Sequence, residues 1–484
     1  MQHPVPAAAP AVVQSPAPGT TPSTAPDGLP PGARLLAMLT VVLGIGLSVL
    51  DATMVNLALP GIVHDLHIAE SDGVWLINAY QLSILVLLLP LALLGDLLGY
   101  RRVYLVGVCV FGLASLACVL ATGLNQLAIA RALQGAGAAG LFAVNSALVR
   151  LIYPARLLGR GIALNSAVVA VASVAGPAVA ALVLSLGPWP WLFALNIPLA
   201  LLVLALGWRS LPTGRSGAAS GSRFPWLDAL LNAAMFLLLF LGLQRLVPHD
   251  RLPHTPVLAL VMVLLGVAVG VVYVRRQRRE ALPLLPVDLL AIPVFRLSMA
   301  TSVAAFAAQT LASVALPFLL LVGLKRSPGE AGWVLAAWPL GTVLMAPVAA
   351  RLIGRQPSGL LGGIGLGLLA VGLGALALLP ADPTGLSLAW RLVLCGAGFG
   401  LFQSPNNHTI VTAAPAHRSG GAAGMLGTAR LTGQSLGALV IGGLYGVWAG
   451  EPALVPTLAL LLGAGLAFAG GVISLLRVRE QVGR

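Results

Sequence analysis

The chain has 484 residues, of which 58% are hydrophobic and only 8% are charged, with a formal net charge of +13. A soluble globular domain carries about 25% charged residues, so this composition excludes a water-soluble enzyme. The positive charge does not indicate nucleic acid as a partner, because the basic residues stand in small groups between apolar runs, as in membrane proteins.

The first 33 residues precede the apolar part of the chain and are rich in Ala, Pro, Ser and Thr. They lack the charged start and the apolar centre of a signal peptide. We therefore expect residues 1–33 to form a disordered cytoplasmic tail.

Fourteen apolar runs follow, and a helix needs about 20 apolar residues to cross a bilayer. The predicted spans are 35–60, 74–95, 103–122, 125–149, 160–184, 190–208, 226–247, 256–274, 296–323, 330–352, 359–379, 386–411, 420–447 and 455–476.

The basic residues of the predicted loops fall mostly on one side of the membrane. The opposite loops hold only four of them, Arg245, Arg251, Lys325 and Arg326. Because cytoplasmic loops carry the excess of Lys and Arg, this asymmetry predicts a bacterial inner-membrane protein with both termini in the cytoplasm. The terminal Arg477 is expected on that cytoplasmic side.

A short repeat divides the chain. Arg131 is followed by GAG at 135–137, and Arg391 is followed by GAG at 396–398. Parallel repeats of this kind predict two six-helix halves, residues 34–210 and 281–484. Residues 211–280 are then a linker that contains two extra transmembrane helices.

The first span ends with LDATMVNLALP (50–60), and Asp51 is the acid that lies well inside an apolar run. An acid at a helix centre costs roughly 2.5–3.5 kcal/mol on insertion scales, so intramembrane acids are usually functional. Asp51 is therefore a candidate for binding a transported proton. The alternative is a structural acid bonded to a neighbouring helix.

The fourth span begins LAIARALQGAGAAG (127–140), and Arg131 lies too deep in it to be a simple end charge. A buried arginine needs a partner, for which Asp51 or a backbone carbonyl is the natural candidate. Gln134 lies one turn further on the same face. The glycines of this segment are expected to form a close-packing stripe.

Two further segments carry motifs. In LLGDLLGYRR (93–102), Gly99 permits a tight turn, while Asp96 and Arg101 are charged residues at the helix ends. In AVASVAGPAVAA (170–181), the pair Gly176 and Pro177 predicts a kinked helix with close packing at the kink.

Together these segments, with WPWLFALNIPLALL (189–202), resemble the fourteen-helix drug:proton antiporter family of the major facilitator superfamily, from Arg34 almost to the end of the chain. The resemblance implies that Asp51 takes part in proton and cation coupling. It implies that the segment 93–102 forms a latch between the halves, which breaks on inward opening. It also implies that Gly176 and Pro177 seal the protein against proton leak.

Aromatic and polar residues near the predicted midplane are candidates for the substrate cavity, although most such residues in a membrane protein are core or lipid-facing. The candidates are Asn56, Tyr80, Gln134, Phe306, Gln309, Trp338, Phe402, Asn406 and Arg430. The acids of the second half all stand near loops or helix ends, which makes strongly dicationic substrates less expected.

The predicted fold is an all-α membrane protein of the major facilitator type, with two six-helix bundles and two inserted helices. The predicted function is proton-coupled antiport that exports small amphipathic or drug-like molecules by alternating access, as a monomer in the lipid bilayer. The alternatives are an importer of a nutrient or metabolite and a lipid transporter of the same fold. No phosphate loop, metal cluster or nucleophile motif is found, so we expect no enzyme activity and no cofactor beyond the proton.

Overall fold

The computed structural model describes residues 28–213, 224–246, 256–280, 283–380, 382–415 and 418–482. Most of the predicted tail (1–27), the polar linker stretch 214–223 and Arg251 lie outside the described residues. The described chain is helical, and its one β feature is an isolated bridge between Ile353 and Gln356.

The first half begins with seven α-helices. They are α1 (Pro31–Asp65), α2 (Glu70–Leu98), α3 (Tyr100–Val119), α4 (Leu124–Ile152), α5 (Leu158–Leu186), α6 (Pro190–Ala194) and α7 (Asn196–Ser210). Two helices follow as a hairpin, α8 (Trp226–Arg245) and α9 (Pro256–Gln277).

The second half consists of another seven. They are α10 (Pro293–Phe318), which continues as a π-helical turn over Leu319–Gly323, α11 (Pro328–Leu335), α12 (Ala337–Leu352), α13 (Ser358–Ala377), α14 (Gly385–Ala413), α15 (Ser419–Val447) and α16 (Val455–Val482). The pairs α6–α7 and α11–α12 each form one interrupted span.

Thirteen helical stretches of the described chain are long and apolar enough to cross a membrane. The helix α15, with 29 residues, is not among them, because its many glycines together with Arg430 and Gln434 dilute its apolar character. The all-helical, multi-pass architecture predicted from the sequence is therefore confirmed, with 13 such spans and one further long helix.

The same packing pattern occurs in both halves. In the first half α1 packs against α5 and α7, α4 packs against α2 and α3, and α3 packs against α7. In the second half α10 packs against α15 and α16, α14 packs against α12 and α13, and α13 packs against α16. Each pair in one half has its counterpart in the other, as expected for a duplicated bundle.

The halves meet along two main seams, α2 against α15 and α5 against α11, with a smaller contact between α1 and α10. Small residues bring the backbones together. A Cβ atom added to Gly332 of α11 would lie 2.8 Å from the Pro177 carbonyl oxygen and 2.5 Å from the Ala181 Cβ of α5. Gly427 of α15 faces the Leu88 side chain of α2 in the same way.

The α8–α9 hairpin packs on α2 and on α15, so it covers the seam between those two helices. The Asn232 side chain of α8 donates a hydrogen bond of 2.9 Å to the Val86 carbonyl of α2. Arg276 of α9 forms an ion pair of 2.6 Å with Asp228 of α8, which is buried. Asp228, in the first turn of α8, is thus buried although it stands at the start of an apolar run, as is Asp72 at the start of α2.

Arg477 was expected on the cytoplasmic side of the membrane, which stays a prediction, but its side chain does not lie at the surface as a simple end charge would. Its guanidinium is fully buried in the second half, where Nη1 donates to Ser298 Oγ at 2.8 Å and to Asn406 Oδ1 at 2.6 Å. Nη2 also bonds Ser474 Oγ within α16. Neutral acceptors on α10 and α14 satisfy this cation, so the arginine joins three helices where the sequence indicated only a charged end.

We expect Arg477→Met to destabilise the second half, since it removes the donors that satisfy Ser298 and Asn406. Leaving buried acceptors unpaired costs about 1–3 kcal/mol each. The midpoint of thermal unfolding of the purified protein in detergent should fall by several degrees. The exposed Arg355, changed to Met, is the matched control and should leave the midpoint unchanged. Equal midpoints for the two variants would contradict a structural role of Arg477.

Candidate functional site

Asp51 lies in the middle of α1, fully buried, and its carboxylate accepts three hydrogen bonds. Arg131 Nη1 donates to Oδ2 at 2.7 Å. Gln134 Nε2 donates to Oδ1 at 3.0 Å, and Asn196 Nδ2 donates to the same oxygen at 2.7 Å. These donors come from α4 and from the first residue of α7, so one carboxylate holds three helices of the first half together.

Arg131 is the buried cation of this site. Its Nη1 also donates to Gln134 Oε1 at 2.5 Å, and its guanidinium carbon lies 4.3 Å from the centroid of the Tyr80 ring and 5.7 Å from that of Phe193. Aromatic faces attract a cation, more strongly where water is excluded. The arginine is therefore stabilised by one acid and two rings, all within the first half.

The Gln134 amide is fixed in turn by α3. Its Nε2 donates to Ser115 Oγ at 2.9 Å. The glycines of α4 allow this approach, since a Cβ at Gly137 would lie 2.5 Å from the backbone nitrogen of Phe111, and one at Gly135 would strike the Tyr80 carbonyl. The glycine stripe thus packs closely, as its spacing predicts, and this packing brings the polar groups of four helices to one point.

The arrangement around Asp51 suits the ionised carboxylate, because all three partners are N–H donors. A proton on Oδ1, which already accepts two hydrogen bonds, would displace one of those donors, whereas among the described residues Oδ2 accepts only from Arg131 and keeps a second lone pair. A proton on either oxygen would leave Arg131 without its counter-ion in a buried site, which is costly. Protonation would therefore weaken the contacts of α1 with α4 and α7.

Gly99 separates α2 from α3 with a φ of +97°, a conformation that glycine adopts without strain. Asp96 accepts a hydrogen bond of 2.5 Å from the Tyr100 hydroxyl, and Arg101 bonds the carbonyl of Trp208 in α7. These contacts lie within the first half. The latch between the halves stays a prediction for another conformational state.

Gly176 and Pro177 lie where α5 contacts both α1 of its own half and α11 of the second half. A side chain at Gly176 would collide with Thr53 of α1, two residues from Asp51. One turn of α5 therefore contacts α1 on one side, and it contacts Gly332 of α11 on the other side through the Pro177 carbonyl. This position links the centre of the first half to the seam.

The candidates for the substrate cavity separate into groups. Tyr80 and Gln134 belong to the site of Asp51, as described. Phe306 and Phe402 are buried in the second half, on either side of Phe399, at ring-centroid distances of 5.3 and 5.9 Å. Trp338 is buried on α12 against the backbone of Gly396.

Three other candidates lie elsewhere. Asn406 is fully buried, and besides accepting from Arg477 it donates to Ser302 Oγ at 2.8 Å. Its contacts are thus internal to the second half. Asn56 and Gln309 are half-buried on α1 and α10, two helices that contact each other across the interface between the halves.

Arg430 of α15 reaches from the second half towards the first. Its guanidinium carbon lies 5.5 Å from the centroid of the Phe142 ring of α4. The side chain is half-buried, and its Nε is enclosed without a hydrogen-bond partner among the described residues.

Two residues of the Asp51 site were not among the sequence candidates. Asn196 and Ser115 are both fully buried and contact Asp51 and Gln134. Asn196 lies in the segment 189–202. Its polar side-chain amide, between Leu195 and a following apolar run, is the signal that could have identified it. Ser115 carries no comparable signal, since a serine is common in membrane helices.

The packing pattern, the duplicated halves and the buried site define a membrane transporter. A family model, the Major Facilitator Superfamily, matches residues 41–438, and the chain belongs to that superfamily. It is therefore a transporter rather than an enzyme.

Three relatives illustrate the range of similar proteins. The transporter YebQ of Escherichia coli (strain K12) is 48% identical over 93% of this chain and 96% of its own. The riboflavin transporter RibZ of Clostridioides difficile (strain 630) is 29% identical over 83% of this chain and 86% of its own. The multidrug resistance protein Stp of Mycobacterium tuberculosis (strain CDC 1551 / Oshkosh) is 29% identical over 86% of this chain and 76% of its own.

We expect cysteines at Ala181 and Gly332 to form a disulfide that closes the α5–α11 seam, because their Cβ atoms would lie 2.5 Å apart and a separation of the two backbones by about 1 Å gives the usual disulfide spacing. With the three native cysteines replaced, oxidation should stop transport and a reductant should restore it. The measurement is uptake of a fluorescent substrate into vesicles before and after reduction. Ala181→Cys alone is the control and should not respond. Full activity of the oxidised pair would show that this seam need not open.

Proposed function

We propose that the protein is a proton-coupled antiporter that exports small amphipathic or drug-like molecules across the bacterial inner membrane by alternating access. The observation that carries this proposal is the fully buried ion pair of Asp51 and Arg131, with Gln134 and Asn196 as its polar neighbours. Such a costly group inside a transporter's bundle is best accounted for by a role in ion coupling. The multidrug resistance relative supports drug-like cargo.

The coupling step that we propose begins with a proton at Asp51. Protonation removes the carboxylate charge and frees Arg131 or Asn196 from it, which loosens α1 against α4 and α7. Because α1 touches α5 at Thr53 and Gly176, that change reaches the α5–α11 seam through direct contacts. Proton and substrate then compete for opposite states of the first half, which makes the transport an exchange.

The finer features of this proposal follow the sequence prediction. The chain would have fourteen spans in two six-helix bundles, 34–210 and 281–484, with both termini in the cytoplasm, and it would act as a monomer. The hairpin α8–α9 would be the inserted pair of the fourteen-helix drug:proton antiporters. The long helix α15 supplies the fourteenth span in this reading.

We expect Asp51→Asn to abolish proton-driven accumulation of substrate. Asparagine keeps the shape of the side chain but cannot take up or release a proton. The proton gradient can then no longer drive transport through this residue. The measurement is uphill transport by purified protein in vesicles with an imposed pH gradient. Downhill exchange of substrate without a gradient should persist in part, since the substrate path is not removed.

The matched control is Asp228→Asn, which removes a buried acid of the α8–α9 hairpin while leaving Asp51 intact. It should retain coupling, because Asp228 is paired with Arg276 in the hairpin rather than in the first-half bundle. If the Asp51→Asn protein still drives uphill export with the proton gradient, Asp51 is not the coupling acid.

A second candidate function is transport of a metabolite, which the relationship to the riboflavin transporter favours. Its test is the direction of transport. Vesicles loaded with the vitamin and exposed to an opposing proton gradient distinguish exchange from cotransport, because the two modes respond to the gradient with opposite sign.

A further inference from the structure

Arg430 differs from the other arginines embedded in the helical bundle. Arg131 pairs with an acid, Arg477 donates to neutral oxygens, and Arg391 donates to Ser387. Within the described part of the chain, no acceptor lies within hydrogen-bonding distance of Arg430, and its Nε is enclosed. A guanidinium carries five N–H donors, and leaving them unsatisfied in a water-poor interior is costly.

The position of Arg430 is also distinctive, because it belongs to the second half and faces the first. It lies over the Phe142 ring of α4. A molecule bound here would contact both halves, as alternating access requires of a substrate.

The charges around this place restrict what can bind. Asp51 is already neutralised by Arg131, so the unbalanced charge is the single positive one of Arg430. A cationic molecule would be repelled by it. An anionic molecule would bind more tightly when Asp51 is protonated and Arg131 is freed, and proton and anion would then travel in the same direction instead of exchanging.

We propose that Arg430 binds the carbonyl or phenol oxygens of uncharged, planar aromatic substrates, whose rings lie against Phe142. This inference rests on the proposed antiport and names its substrate class. An uncharged acceptor satisfies the guanidinium donors without attracting a proton to Asp51. Phe142 is half-buried and offers a ring face for stacking, which prefers offset or edge-to-face contacts at 4.5–7 Å.

Three fluorescent probes of similar ring size test the class. Riboflavin is uncharged and carries two ring carbonyls, riboflavin 5′-phosphate adds a negative charge to the same ring system, and acriflavine is a tricyclic cation. Binding to the purified protein is measured by fluorescence at neutral pH. Riboflavin should bind more tightly than either charged probe.

We expect Arg430→Gln to weaken riboflavin binding by about tenfold, the usual scale for hydrogen bonds to a charged group. The Arg430→Gln protein should also gain affinity for acriflavine, since the repelling charge is gone. Arg391→Gln is the matched control, because it removes another bundle arginine that lies away from α4, and it should leave riboflavin binding unchanged. Thermal unfolding of both variants verifies that they fold.

The affinity for riboflavin and the coupling of transport to the proton gradient are measured in separate experiments. Tighter binding of either charged probe than of riboflavin, no measurable binding of riboflavin, or an unchanged affinity in Arg430→Gln overturns the inference, even if a pH gradient drives transport. Loss of riboflavin affinity in Arg430→Gln, together with transport that ignores the gradient, supports the role of Arg430 and refutes proton coupling instead.

Discussion

The ion pair between Asp51 and Arg131 is the constraint on which the first half depends. Two opposite charges have been removed from water, and only close contact with further polar groups repays the loss of hydration. Gln134 and Asn196 supply those contacts, and each comes from a different turn or helix. The glycines of α4 are needed because a larger residue would hold the backbones too far apart for these bonds.

The second half has the same helix packing but a different polar interior. Where the first half has an acid and an arginine, the second has Arg477 among serines and Asn406. The arginine that matches Arg131 in the sequence repeat, Arg391, donates to Ser387 one turn away. The two bundles therefore share their shape but not the polar groups of their interiors, and the central buried carboxylate of the described residues lies in the first of them.

The sequence alone predicted the all-helical, multi-pass architecture, and it named Asp51, with a backbone carbonyl as the alternative, as the partner of Arg131. Those features depend on apolar run length, on local glycine patterns and on the high cost of buried charge, all of which can be read along the chain. It could not place the Arg477 side chain, because an arginine near a helix end is normally at the surface, and its burial depends on Ser298, 179 residues away, and on Asn406. Asn196 was missed for a similar reason, since its partner Asp51 is distant in sequence.

The hairpin α8–α9 rests on α2 and α15 and so covers the groove between the halves on that side of the molecule. Many molecules that dissolve in membranes reach a transporter sideways, through a gap between helices, rather than from water. The hairpin packs on α2 and α15, so a molecule that arrived from the lipid would reach the bundle from the opposite flank, beside the α5–α11 seam. The hairpin thus makes the two lateral faces of a pseudo-symmetric bundle different from each other.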